Sequence, residues 1–136
     1  MQIKAVRVMQ HDAKIAGTLV SMQEQELSAG ELTIAVEYSS INYKDALAVT
    51  GRGKIMRKLP LNAGIDLASE IIASSHPDFV VGEKILANGC GLGEVHDGGL
   101  AEVARIPAEW AIKLPSGLTT FDAMRLGTGG FTAALA

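Results

Sequence analysis

The sequence predicts a mostly β fold, a closed or partly open β-barrel with a few short helices. Three observations predict it. Short runs in which apolar and polar residues alternate recur along the chain. The connections between them are rich in glycine, of which the chain has 15. Segments with helical start signals are few, and many short strands with glycine-rich links favour closure of a sheet on itself.

In chain order, Ile3 to Met9 and Ile15 to Met22 alternate as strands. The second is followed by Leu27-Ser28-Ala29-Gly30-Glu31, which reads as a reversal into a third strand, Leu32 to Tyr38. There Leu32, Ile34, Val36 and Tyr38 share one face, with Thr33 and Glu37 on the other. Tyr43 to Thr50 reads as a helix, with Asn42 at its N-cap. Gly64-Ile65-Asp66 turns into a strand over Leu67 to Ser74, with Asp66 a candidate for buried hydrogen bonding to backbone or for a cleft position. Further strands fall at Lys84 to Ala87, Gly99 to Arg105 and Trp110 to Lys113. Thr119 and Asp122 have capping-box spacing at the start of a helix over Thr119 to Arg125. After the small-residue turn Gly127-Thr128-Gly129-Gly130, Phe131 to Ala136 is helix-permissive and meets no Gly, Asn or Pro stop signal.

Composition narrows the function classes. A formal net charge of −3 supplies no positive field to replace the counterions of a nucleic acid. The longest uncharged stretch, Leu126 to Ala136, is too short to cross a bilayer, and the N-terminus alternates like a strand instead of forming a signal-peptide core. No nucleic-acid or membrane partner is therefore expected, and the cytoplasm is the default location. Cys90 stands alone, which excludes an intrachain disulfide framework and a multi-thiolate metal site. His11, His76 and His96 have no Cys or His partner at ligand spacing and read as solvent-exposed loop histidines.

Four local patterns follow one another: Ser40-Ile41-Asn42-Tyr43-Lys44-Asp45, Leu59-Pro60-Leu61-Asn62-Ala63-Gly64-Ile65-Asp66, Phe79-Val80-Val81-Gly82-Glu83-Lys84-Ile85, and Gly98-Gly99-Leu100-Ala101-Glu102. Together they resemble the N-terminal domain of the medium-chain dehydrogenase/reductase superfamily, whose fold is a GroES-like barrel. With Gly51-Arg52-Gly53-Lys54-Ile55 the chain looks most similar to the acryloyl-CoA reductase and YhdH-type quinone oxidoreductase branch. The resemblance implies a GroES-like catalytic domain over residues 1–120. Over 121–136 it implies a helical connection and the truncated start of a nucleotide-binding domain. The family binds NADPH on a Rossmann domain, whose glycine-rich turn and helix N-terminus hold the pyrophosphate. No such strand, turn and helix unit is legible here, so NADPH is expected to be bound mainly by a missing domain and the chain alone to be inactive. Gly127 to Gly130 reads as a helix-opening turn, and Gly89-Cys90-Gly91-Leu92-Gly93-Glu94 lacks the third glycine of the dinucleotide fingerprint.

The same resemblance assigns roles. Where the zinc branch has its first ligands, Cys and His, this chain has Asn42 and Ile65, and the four-cysteine structural lobe is absent, so no metal is expected. Reduction of an activated C=C bond then rests on the nicotinamide and on fixed hydrogen bonds. Asn42, Tyr43 and Thr128 are the cofactor-binding candidates, and Tyr43 and Asp45 the catalytic ones. Asn42 also suits an ordinary N-cap, Tyr43 is equally readable as packing, and Asp45 as orienting Lys44 or Tyr43 or stabilising the helix N-terminus. A Tyr that some enoyl reductases carry after this helix is missing, since Gly51 is followed by Arg52 and Gly53. Lys44, Arg52, Lys54, Arg57 and Lys58 form a cationic stretch suited to the phosphates of a CoA thioester or of NADPH, or simply a solvated loop. Arg52, Lys54 and Cys90 are the substrate-binding candidates, although Cys90 and Asp97 occupy positions where the branch often carries Trp. The partner implied is a small-molecule acceptor, a CoA thioester or a quinone, and the longer protein is expected to be a homodimer. A GroES-like module without enzymatic activity is the competing class.

Overall fold

A computed structural model describes residues Met1–Ala136. Two antiparallel sheets form its framework. The first has the order β2-β1-β4, from β1 (Gln2–His11), β2 (Lys14–Gln23) and β4 (Leu61–Asn62). The second has the order β7-β3-β5-β6-β8, from β3 (Leu32–Tyr38), β5 (Asp66–Ser74), β6 (Lys84–Asn88), β7 (Val103–Ile106) and β8 (Ile112–Lys113). Two helices, α1 (Tyr43–Thr50) and α2 (Thr120–Leu135), and two 3-10 turns, Glu24–Glu26 and Ala108–Trp110, complete it. The expected mostly β, partly open barrel with few helices is the observed architecture.

The sheets are closed against each other by a short extended segment. Leu100 accepts from Val6 N–H at 2.8 Å, and Glu102 N–H donates to Lys4 O at 2.9 Å. Glu102 O in turn accepts from Val36 N–H at 3.0 Å, so one stretch is bonded to both β1 and β3. This explains why a single strand from Gly99 to Arg105 does not form: the chain changes sheets in the middle, and regular pairing with β3 begins only at Val103. Alternation places Leu32 and Ile34 of β3, Leu67 and Ile71 of β5, Ile85 of β6 and Ile106 of β7 in one core, all fully buried. A second cluster, Ile3, Ala5, Met22, Leu27 and Val103, lies under the first sheet.

Several sequence expectations are corrected. Leu27 to Glu31 is not a hairpin reversal, because β2 pairs with β1 whereas β3 pairs with β5 and β7; the link carries the chain from one sheet to the other. The strand from Trp110 to Lys113 shrinks to Ile112–Lys113 because Trp110 closes a 3-10 turn. β4, only two residues long, has no period to read. The turn at Gly127 to Gly130 contracts to one residue: Gly127 (φ 50°, ψ −161°) breaks α2, and Thr128 resumes the helix. Ahead of that break, Ala123 and Met124 pack with Ala68 of β5, so this half of α2 belongs to the barrel.

Candidate active site

The site is built where α1, β5 and the break in α2 converge. α1 starts after the extended Ser39 to Ile41 segment, and Asn42 (φ −114°, ψ 161°) is its N-cap. Asp45, three residues on, closes this start from its side: the Asn42 N–H donates to Asp45 Oδ2 at 2.8 Å, while the Asn42 side chain makes no cap bond of its own. Asp45 is 3% exposed, and its Oδ1 accepts from the Ile65 N–H at 3.0 Å, which docks the helix onto the turn that leads into β5. The sequence candidates for Asp45 divide here: it meets neither Lys44 nor Tyr43 but backbone groups and Asn42.

The Asn42 amide is held twice. Its Nδ2 donates to Asp45 Oδ2 at 3.1 Å and to Asp66 Oδ2 at 2.9 Å. Asp66 is fully buried at the first residue of β5 and also accepts from Thr128, from the backbone N–H at 2.9 Å and from the hydroxyl. Neither Asp45 nor Asp66 has a cationic partner, so five neutral donor groups, from Asn42, Ile65 and Thr128, stabilise two buried carboxylates. Ser39 and Ser40 brace the same corner, Ser39 Oγ on Asp66 O at 2.7 Å and Ser40 Oγ on Met124 O at 2.6 Å. From the sequence Asp66 is open both as a buried hydrogen-bonding residue and as a cleft residue, because Gly64-Ile65-Asp66 alone looks like any turn, and nothing in it marks the two serines.

The structure brings Asn42, Asp45 and Thr128 together, and leaves the other candidates apart. Tyr43 is 80% exposed, next to an equally exposed Ile41. Arg52 and Lys54 lie beyond the C-cap Gly51 of α1, about 12 Å along the helix from Asn42. There they border a surface cavity of about 260 Å³ with Val8, Ile15, Ala48, Met56 and Leu59. Of the five cations in this stretch, Lys44 and Arg57 are paired with Glu94 at 3.3 and 3.4 Å. Cys90 is exposed in a left-handed conformation (φ 60°) in the Gly89 to Glu94 loop.

One reading away from this corner is corrected. His96 is not a solvent-exposed histidine: it is 9% exposed, its ring nitrogens lie 3.0 Å from Asp97 O and 2.9 Å from Ala29 O, and it meets Trp110 edge-on. Asp97, at the second position where the branch often carries Trp, is an internal hydrogen-bonding residue. It is 3% exposed and binds Arg7 at 3.4 Å, Ser28 N–H at 2.8 Å and Asn62 N–H at 2.8 Å. No three His, Cys, Asp or Glu side chains gather as a metal cluster, and no helix is long and apolar enough to cross a membrane.

Residues 28–116 match the alcohol dehydrogenase GroES-like domain. The chain belongs to that family. Over 133 residues it is 44% identical to the probable acrylyl-CoA reductase AcuI of Escherichia coli, covering 98% of this chain and 41% of that protein. It is 43% identical over 115 residues to the putative quinone oxidoreductase YhfP of Bacillus subtilis, covering 85% of this chain and 35% of that protein. Among solved structures, the yhdH oxidoreductase of Salmonella enterica, in complex with NADP, superposes with a TM-score of 0.94 at 47% identity, over 99% of this chain and 41% of that one. The chain thus spans about two-fifths of the length of these relatives. The GroES-like family and the acrylyl-CoA reductase and YhdH relatives both agree with the branch that the four motifs resemble.

Proposed function

We propose that this chain is the catalytic domain of a zinc-independent, NADPH-dependent reductase of activated C=C bonds, acting on acryloyl-CoA. The observation that carries the reading is the 44% identity, over almost the whole chain, to a probable acrylyl-CoA reductase. Asn42 suits the cofactor role, since its amide is fixed on both sides and leaves acceptor capacity on Oδ1, and the exposed Ile41 and Tyr43 flank it with apolar and aromatic surface. Bound NADPH would supply hydride to the β-carbon of the acceptor. This chain's residues do the rest: Asn42 orients the sugar and ring, Asp45 and Thr128 hold Asn42 and Asp66 in place, and Tyr43 holds a transferable proton at its phenol oxygen. We assign Asp45 and Thr128 positioning roles because their polar atoms are engaged inside the protein. Within the connection of residues 121–136, we take Gly127, where α2 breaks, as the point at which the chain leaves the barrel.

Arg52 and Lys54, which have no ion-pair partner, are the groups for the CoA phosphates, with Cys90 a further candidate on the acceptor side. The same reading takes the longer protein as a cytoplasmic homodimer. A quinone acceptor is the second reading, supported by the likeness to the putative quinone oxidoreductase. The two separate in a chimera in which this chain replaces the matched 133 residues of the Escherichia coli relative. Neutralising Arg52 and Lys54 there raises KM for acryloyl-CoA, more so at low salt, and leaves KM for an uncharged quinone unchanged. Equal losses with both acceptors would refute the phosphate-gripping role, and quinone turnover far above acryloyl-CoA turnover would favour the second reading.

A further inference from the structure

We propose that Asp66 is a positioning residue that decides which atom of Asn42 faces a ligand, and that it ties this choice to the helix break at Gly127. A primary amide has two N–H donors and one carbonyl acceptor. In Asn42 both donors are spent on carboxylates, one on Asp66 at 2.9 Å and one on Asp45 at 3.1 Å. The flipped amide would set Oδ1 against both carboxylates, losing two charge-assisted bonds and gaining two oxygen–oxygen repulsions. What remains for an outside partner is acceptor capacity alone. The group that meets Asn42 is therefore a hydrogen-bond donor, a sugar hydroxyl or a carboxamide N–H, and not a phosphate or carboxylate. This ligand half of the inference rests on the cofactor role given to Asn42 above.

The second link runs through the other face of Asp66. Thr128 donates to it from both its backbone N–H and its hydroxyl. Gly127 permits the approach: a Cβ there would lie 3.0 Å from Asp66 Oδ2 and 2.6 Å from Ser40 Oγ, and its φ of 50° is costly for any other residue. One carboxylate thus joins the N-cap of α1 to the first residue beyond the break, so a movement of the helix after Gly127 reaches Asn42 through a single group.

The test is amide exchange by NMR on the ¹⁵N-labelled chain. The Asn42 side-chain NH₂ pair should exchange at least about tenfold more slowly than that of an exposed asparagine amide. Asp66→Asn should sharply lower the protection of the proton that faces residue 66 while the proton held by Asp45 keeps its own, and Thr128→Val, which keeps the carboxylate, should have a smaller effect in the same direction while leaving the fold intact. Unprotected Asn42 protons in the unmodified chain would overturn the proposal without any variant having to fold, and so would unchanged exchange in a folded Asp66→Asn. In the chimera, Asp66→Asn should raise the Kd for NADPH about tenfold, a loss that Asp66→Glu partly restores. If Asn42→Ala leaves that Kd unchanged, the cofactor role and the ligand half fall, while the exchange result still reports on the amide.

Discussion

At the residue scale, Asn42 cannot be separated into a cap and a cofactor contact. Its amide is the shared donor of two buried carboxylates, so Asn42→Ala lowers stability by about 1–3 kcal/mol whatever it does to turnover, because Asp45 and Asp66 each lose a partner. Urea denaturation of the chain measures this, and an unchanged midpoint would contradict the network. Asp97 carries a larger load away from the site. Asp97→Ala removes the carboxylate from Arg7, which keeps Asn62 Oδ1 as a partner, strands the Ser28 and Asn62 N–H groups and costs about 3 kcal/mol, whereas Glu109→Ala, at an exposed position of the second 3-10 turn, serves as a near-neutral control. Asn42 and Asp45 are legible in the sequence, singly, as an N-cap and as a first-turn acid within the motif Asn42-Tyr43-Lys44-Asp45, but not as partners of each other. Asp66 and Thr128 were illegible as partners, since they are 62 residues apart and meet only after β5 and α2 pack. His96 misled for the same reason: nothing local says that Trp110 and two carbonyls will enclose it.

Among the elements, β3 and α1 have the limits read from the sequence, because clean alternation and a capped start are local signals. The segments that escaped are those defined by pairing: β4, with two residues on β1, and residues 100–102, which serve two sheets. Gly98 marks the tightest of these junctions. A Cβ there would sit 2.1 Å from Gly64 O, so Gly98→Ala should cost about 3 kcal/mol, read as a drop in Tm, and a wild-type Tm would show that the seam is looser than described. Two carboxylates fasten other junctions. Glu31 accepts from the Ala108 N–H at 3.0 Å, and this bond holds its pKa below the ordinary glutamate value. The Lys113 ammonium, 2.8 Å away, does the same for Glu83, with help from the Val80 N–H. Because the folded pKa values lie below the unfolded ones, their contribution is complete above the unfolded value and vanishes as pH falls through the folded one. Tm of the wild-type chain should therefore fall more steeply below about pH 4.5 than that of a Glu31→Gln, Glu83→Gln variant; parallel curves would remove these two groups from the acid limb.

For the whole molecule, every strand pairing is antiparallel, and no parallel strand–helix–strand unit for a pyrophosphate is present. The chain by itself should accordingly give no saturable NADPH fluorescence signal below roughly millimolar concentration, and micromolar binding would mean that the barrel side alone holds the nucleotide. Because no three His, Cys, Asp or Glu side chains gather and neither Asn42 nor Ile65 is a competent zinc ligand, the purified chain should also carry well under one zinc per molecule by elemental analysis. The central claim, a metal-free reductase domain for an activated C=C bond, is tested most directly by NADPH oxidation in the chimera with the Escherichia coli relative. In metal-stripped buffer with acryloyl-CoA, the chimera should turn over within about tenfold of the relative and lose most of that rate on Asn42→Ala. A folded chimera that binds NADPH yet leaves acryloyl-CoA unreduced, while the relative reduces it, would contradict the claim.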